Sequence, residues 1–193
     1  MRTKTRTSDF TRRLKFAVVA PLIGAGLFLG ACGGSYSAVS ETKDLYEEGK
    51  TFEVGPLRYN VLFSRQLNKF DVEDRAYLAG KPAPAPGKTY LGVFIKVRNT
   101  DEDSPHRLPD SFEIVDTDGK RFENLDSESI FALQTGAKVA PDKTLPAPNS
   151  TAATGPIQAA LLVYLVEDEV LELRPIDLEV PGDGKTVKVE LDL

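Results

Sequence analysis

The chain of 193 residues predicts an all-β, antiparallel β-sandwich, on three observations. From Thr51 onward, apolar residues alternate with polar ones in short runs, the period of a half-buried strand. Turn-forming Gly, Pro, Asp and Asn separate those runs. No segment carries the 3.6-residue period long enough for a substantial helix.

The first run is Leu57, Tyr59, Val61 and Phe63, preceded by a break at Gly55-Pro56. Arg75-Ala76-Tyr77-Leu78 reads as a second, short strand. Residues 81–88, KPAPAPGK, place a proline at every second position and form a stiff extended loop; the PxxP spacing of Pro-rich ligands is absent. The strongest signal is Tyr90 to Asn99. Its odd positions, Leu91, Val93, Ile95 and Val97, are expected to face the core, and Tyr90, Gly92, Phe94, Lys96 and Arg98 the other way. Phe112 and Ile114, with Asp110 at the margin, mark a further strand. Asp118-Gly119 is a hairpin turn returning through Arg121-Phe122-Glu123.

Residues 127–135, SESIFALQT, fit a helical turn or a strand. Residues 136–158 read as a long loop of the kind that carries function. Strands are expected again over Ile157–Val166, Val170–Arg174 and Ile176–Val180, and over Lys185–Leu193 after the Pro181-Gly182-Asp183-Gly184 turn. That makes seven or eight strands. With one cysteine and no tryptophan in the chain, the core must be built from Phe, Tyr, Val, Leu and Ile.

The first residues have a different character. Six basic residues and one acid precede fifteen uncharged residues, Ala17 to Ala31. A basic stretch, an apolar stretch and small residues in that order form an export signal. Fifteen residues fall short of the roughly 20 that a spanning helix needs. Leu29-Gly30-Ala31-Cys32 resembles the lipobox of bacterial lipoproteins. The resemblance implies a diacylglyceryl group on the Cys32 sulfur, cleavage just before it, and a lipid anchor holding the chain outside the cytoplasm. A chance cysteine in an ordinary signal peptide and an uncleaved anchor are the alternatives. Arg12-Arg13 loosely resembles a twin-arginine export signal, but Lys15 occupies its apolar position. The expected organisation is a leader over 1–31, a tether over 32–50 and one sandwich domain over 51–193.

Removing the leader leaves 18 basic and 28 acidic residues, a net charge of about −10. Such a domain is unsuited to nucleic acid and is repelled by anionic surfaces. Residues 88–193 resemble a family of bacterial secreted lipoprotein domains with an immunoglobulin-like fold, related to the mycobacterial immunoprotective extracellular protein. The matching residues are Leu91 to Asn99, Phe112 to Phe122 through Asp116-Thr117-Asp118-Gly119-Lys120, Ala160 to Val166, and Lys185 to Leu193. The region after Ala140 departs from the pattern. The resemblance implies the immunoglobulin-like sandwich and the extracytoplasmic address, and carries no catalytic residues.

Motifs for chemistry are few. His106, the single histidine, sits in a polar loop, and there is no Gly-x-Ser-x-Gly elbow or phosphate-binding glycine loop. Two acidic stretches offer a cation hypothesis: Asp101 with Asp103, and Asp116 with Asp118. The second resembles part of a calcium loop, but position 127, where that pattern needs Glu, is serine. Its plainer reading is an Asx-stabilised turn. The leading expectation is a non-catalytic module, with no cofactor, that binds an envelope protein. A solute- or calcium-binding lipoprotein and a hydrolase with a carboxylate pair are the alternatives.

Overall fold

The computed structural model describes residues 45–193, so the leader, Cys32 and the chain up to Asp44 lie outside the described residues. In chain order the strands are β1 (Leu45–Glu47), β2 (Thr51–Val54), β3 (Leu57–Leu67), β4 (Lys88–Asn99), β5 (His106–Arg107), β6 (Glu113–Val115), β7 (Arg121–Glu123), β8 (Lys138–Val139), β9 (Thr144–Leu145), β10 (Ala160–Glu167), β11 (Ile176–Gly182) and β12 (Lys185–Leu191). One sheet runs β1-β12-β11-β6-β7; the other runs β10-β4-β3-β2, with β9 also on β4; β5 and β8 form a small ribbon. These pairings are antiparallel except β1 with β12. The fold is the expected immunoglobulin-like antiparallel β-sandwich.

The alternation in the sequence builds the core between the sheets. Leu91, Val93, Ile95 and Val97 of β4 meet Ile176, Leu178 and Val180 of β11 and Val187, Val189 and Leu191 of β12 in one buried cluster. Each such side chain contributes about 1.5–3 kcal/mol when removed from water. Tyr59 of β3 and Phe112 beside β6 meet edge-on across the gap, ring centroids 6.4 Å apart.

The opposite face of β4 departs from expectation. Lys96 and Arg98 reach solvent, but Tyr90 and Phe94 are buried in a second cluster on the outside of the β10-β4-β3-β2 sheet. Tyr77, Leu78, Phe131, Ala152 and Ala159 cover it. The expected strand over Arg75–Leu78 is therefore a set of turns, closed by bonds from Arg75 N to Asp71 O (3.2 Å) and from Leu78 N to Asp74 O (3.0 Å). The physical reason is burial of the adjacent pair Tyr77 and Leu78. Consecutive strand residues point to opposite faces, whereas a turn can bring both onto one surface. Val170–Arg174 is corrected in the same way: Asp168–Glu172 is a 3-10 turn that buries Val170 and Leu171 together.

The sheet also begins earlier than the expected domain start at Thr51. Tyr46 of β1 packs on Phe52 with ring centroids 5.1 Å apart. Glu48 accepts a 2.5 Å bond from the Ser64 hydroxyl of β3. Those contacts fix a segment whose polar composition reads as tether. Residues 127–135, open between helical turn and strand, are irregular, with a turn at Ile130-Phe131 and one bridge, Ala132 to Leu161.

Candidate functional site

The two acidic stretches lie at opposite ends of the sandwich. Asp101 and Asp103 follow the Asn99 end of β4, where Thr100 N donates to Pro56 O at 2.9 Å. Asp116 and Asp118 form the β6–β7 turn, beyond Val115, which pairs with Asp177 at the far end of β11. The Asp101 carboxylate accepts from Asp103 N at 2.9 Å and Ser104 N at 3.0 Å, and its other oxygen meets His106 Nε2 at 2.8 Å. The His106 bond, then the two backbone bonds, hold the Asp101 pKa down to about 2. Asp116 Oδ1 accepts from Asp118 N at 3.0 Å and Lys120 N at 2.8 Å, an Asx-stabilised turn. Asp103 and Asp118 join these turns through their backbone N–H groups. Among the described residues, no three His, Cys, Asp or Glu side chains converge as a metal site.

Asn99 organises the loop that carries Asp101 and His106. Its side chain is fully buried. The amide nitrogen donates to Ser104 O (2.8 Å), Val139 O (3.0 Å) and Ala140 O (3.2 Å), and the amide oxygen accepts from Asp101 N (3.0 Å). Beside this loop is a recess of about 310 Å³ lined by Leu57, Tyr59, His106, Leu108 and Asp183 among others.

The outer faces of the two sheets differ in chemistry. On the β12-β11-β6-β7 face, Arg121 bridges Glu113 (2.5 Å) and Glu179, and Lys188 lies 3.4 Å from both Asp177 and Glu179. That cross-strand ladder is a solvated, charge-matched surface. The layer covering the other sheet bears apolar tips instead. Phe70 is 72% exposed, Val72 79% and Ile130 68%. Two grooves flank Phe131, itself 8% exposed. One, of about 410 Å³, is lined by Arg65, Glu73, Tyr77, Phe131 and Ile157 among others; the other, of about 250 Å³, by Ile130, Phe131, Lys138, Leu145, Pro146 and Ala152 among others.

This layer is fixed in place. Ser129 Oγ donates to Ala76 O at 2.7 Å, and the Tyr77 and Phe131 rings meet edge-on at 4.9 Å. Phe131 O accepts from Leu161 N (2.8 Å) and Leu161 O from Leu133 N (2.9 Å), so the 129–133 segment occupies the edge of β10. Ser150 caps the single helical turn α1 (Thr151–Thr154), whose Ala152 is buried. Sequence reasoning marked 136–158 as a loop suited to function but did not single out Phe70, Val72, Ile130 or Phe131. A signal for part of this surface was there: no charged residue stands between Glu128 and Lys138, nor between Lys143 and Glu167.

No protein-family model and no curated protein matches the chain. Solved structures are similar to it at low identity. An uncharacterised β-sandwich protein of Clostridium difficile is 15% identical, with TM-score 0.47, over 79% of this chain and 97% of that one. The secreted protein MPT63 of Mycobacterium tuberculosis is 9% identical, with TM-score 0.46, over 77% of this chain and 96% of that one. A Bacillus subtilis protein described as a candidate lipoprotein is 14% identical, with TM-score 0.45, over 75% of this chain and 38% of that one. No helix among the described residues is long and apolar enough to cross a membrane.

Proposed function

We propose that the chain is a lipid-anchored, extracytoplasmic, non-catalytic module that binds a protein partner through the layer around Phe131. The observation that carries this reading is the exposure of Ile130 beside two grooves that flank Phe131, with Phe70 and Val72 exposed on the loop that also carries Tyr77. Interface centres are depleted in charge and enriched in aromatic residues, and large exposed apolar side chains mark binding surfaces. Tips that project outward suit an extended partner surface better than an enclosed small molecule. The grooves are apolar at Tyr77, Phe131, Ile157 and Leu145, with Arg65, Glu73 and Lys138 also on their linings, so the partner segment is expected to be apolar at its centre. The lipobox-like Leu29-Gly30-Ala31-Cys32 supports the anchor, which would concentrate the domain at the membrane.

The test is photo-crosslinking in intact cells from a probe at position 130 and, separately, at position 188 on the charged face. The expected result is one protein captured from 130 and not from 188, joined through an apolar segment, and lost in Cys32→Ala. Equal capture from both faces, or none from 130 at full expression, overturns the reading.

A further inference from the structure

The recess at the Asn99 end of the sandwich is independent of the Phe131 layer. Its floor is closed by Leu57, Tyr59 and Leu108, each nearly fully buried, and its accessible apolar surface comes from the rings of Pro56, Pro109 and Pro181. Its walls are held by the fold. Leu108 N donates to Ala137 O at 2.9 Å, and Gly136 N to Pro109 O at 2.7 Å. The β2–β3 turn closes on the β11–β12 turn so tightly that a Cβ added to Gly55 would lie 3.3 Å from Asp183 Cβ.

The full charges on the lining are Arg107, Asp110 and Asp183, and His106 adds an imidazole. Arg107 meets Asp110 at 2.6 Å, and His106 meets Asp101 at 2.8 Å. Asp183 remains, a lining carboxylate with no described ion-pair partner, and Lys185 two positions on does not line the recess. Accessible proline rings beside a surplus carboxylate select a short apolar body with a cationic head: the carboxylate forms a charge-assisted bond to N–H donors, while the alkyl part covers Pro56, Pro109 and Pro181.

We propose that this recess binds an alkylammonium group, the head of a small free amine or of a lysine side chain. The probes are butylammonium, butyrate and butan-1-ol, which share one body and differ in the head, titrated into the isotope-labelled full chain in detergent micelles. Resonances of Leu57, Leu108 and Asp183 report binding. The expected result is a preference of about fivefold or more for butylammonium, abolished in Asp183→Asn. Asp183 has φ +51°, a conformation that asparagine tolerates, so the variant keeps the turn, and an unchanged melting temperature verifies this. A blocked Gly-Lys-Gly peptide distinguishes the sources. Binding as tight as butylammonium supports a lysine side chain, and refusal of the peptide beside retained amine binding supports a free amine. Equal binding of the three heads, no shift of these resonances by butylammonium, or a preference that survives Asp183→Asn overturns the proposal.

Discussion

Arg65 and Asp74 meet in a two-pronged ion pair: Nη2 and Nη1 donate to the two carboxylate oxygens at 2.5 and 3.1 Å. Asn68 N adds a third bond to Asp74 at 2.8 Å. The pair closes the loop that carries Phe70 and Val72. Burial pushes the Asp74 pKa up, but the bonds from Arg65 and Asn68 outweigh it and hold the carboxyl below its ordinary value. Asp74 is almost fully buried and Arg65 about one third exposed. Asp74→Ala therefore leaves a partly screened, unpaired guanidinium, and is expected to cost about 2–3 kcal/mol in urea unfolding. A loss within 0.5 kcal/mol, roughly the scatter of an ordinary surface substitution, would show that water replaces the carboxylate at no cost.

Asn99 makes four bonds from a fully buried side chain. Asn99→Leu removes donors from three carbonyls and an acceptor from Asp101 N. The expected destabilisation is about 3 kcal/mol, with faster hydrogen exchange at Asp101 and Leu108 than the loss of global stability accounts for. Asn99→Asp should be no better, because a carboxylate oxygen would face carbonyl oxygens. An unchanged exchange pattern in Asn99→Leu would contradict the organising role.

The Asp101 carboxylate titrates at about 2 in the folded protein, against 3.8 without its partners. A depressed folded value means that the unfolded state binds the proton first as pH falls. Stability supplied by Asp101 is thus fully present above about pH 4 and is lost as pH drops through about 2. In acid unfolding followed by circular dichroism, wild type should be more stable than Asp101→Asn above that window, and the two should converge below it. Parallel curves across the window would refute the assignment.

Neighbouring residues on the proposed interface should behave oppositely. Ile130 is 68% exposed and Phe131 8%. Ile130→Ser should change stability by less than about 0.5 kcal/mol while weakening partner capture, whereas Phe131→Ala should cost about 3 kcal/mol. Thermal unfolding of both variants checks the contrast. A large stability loss in Ile130→Ser would mean that this side chain packs rather than projects.

The sandwich was legible where each strand buries one face. Positions 57, 59 and 61 of β3, and the alternating residues of β11 and β12, carry their burial in their spacing. The layer over β4 was not, because it is built from loops. Tyr77-Leu78 and Val170-Leu171 are adjacent apolar pairs, and a four- or five-residue window containing such a pair fits a strand as well as a turn. The candidate surface was half legible. Its charge-free stretches are printed in the sequence, but Phe70 and Ile130 resemble core residues until a neighbour such as Phe131 takes the buried place. The Asp116–Asp118 motif was legible as an Asx-stabilised turn, while the separation of the two acidic stretches to opposite ends depends on pairing that spacing alone does not contain.

Gly92 shows how the covered face of β4 constrains the sequence. It stands mid-strand, where glycine ordinarily weakens a sheet. A Cβ there would lie 2.8 Å from Leu67 Cδ1, 3.0 Å from Leu67 Cγ and 3.1 Å from Leu161 Cδ1. Leu67 and Leu161 thus occupy the space above the glycine, between Tyr90 and Phe94 of the same cluster. Gly92→Ala gains strand propensity but overpacks this site, and the steric effect should win, with a net loss of about 1–3 kcal/mol. The cause can be isolated with a double-mutant cycle. Leu67→Ala alone should cost about 2–4 kcal/mol through its cavity, and in that background Gly92→Ala should become neutral or stabilising. Strict additivity of the two changes would mean that Leu161, rather than Leu67, is what rejects the added methyl.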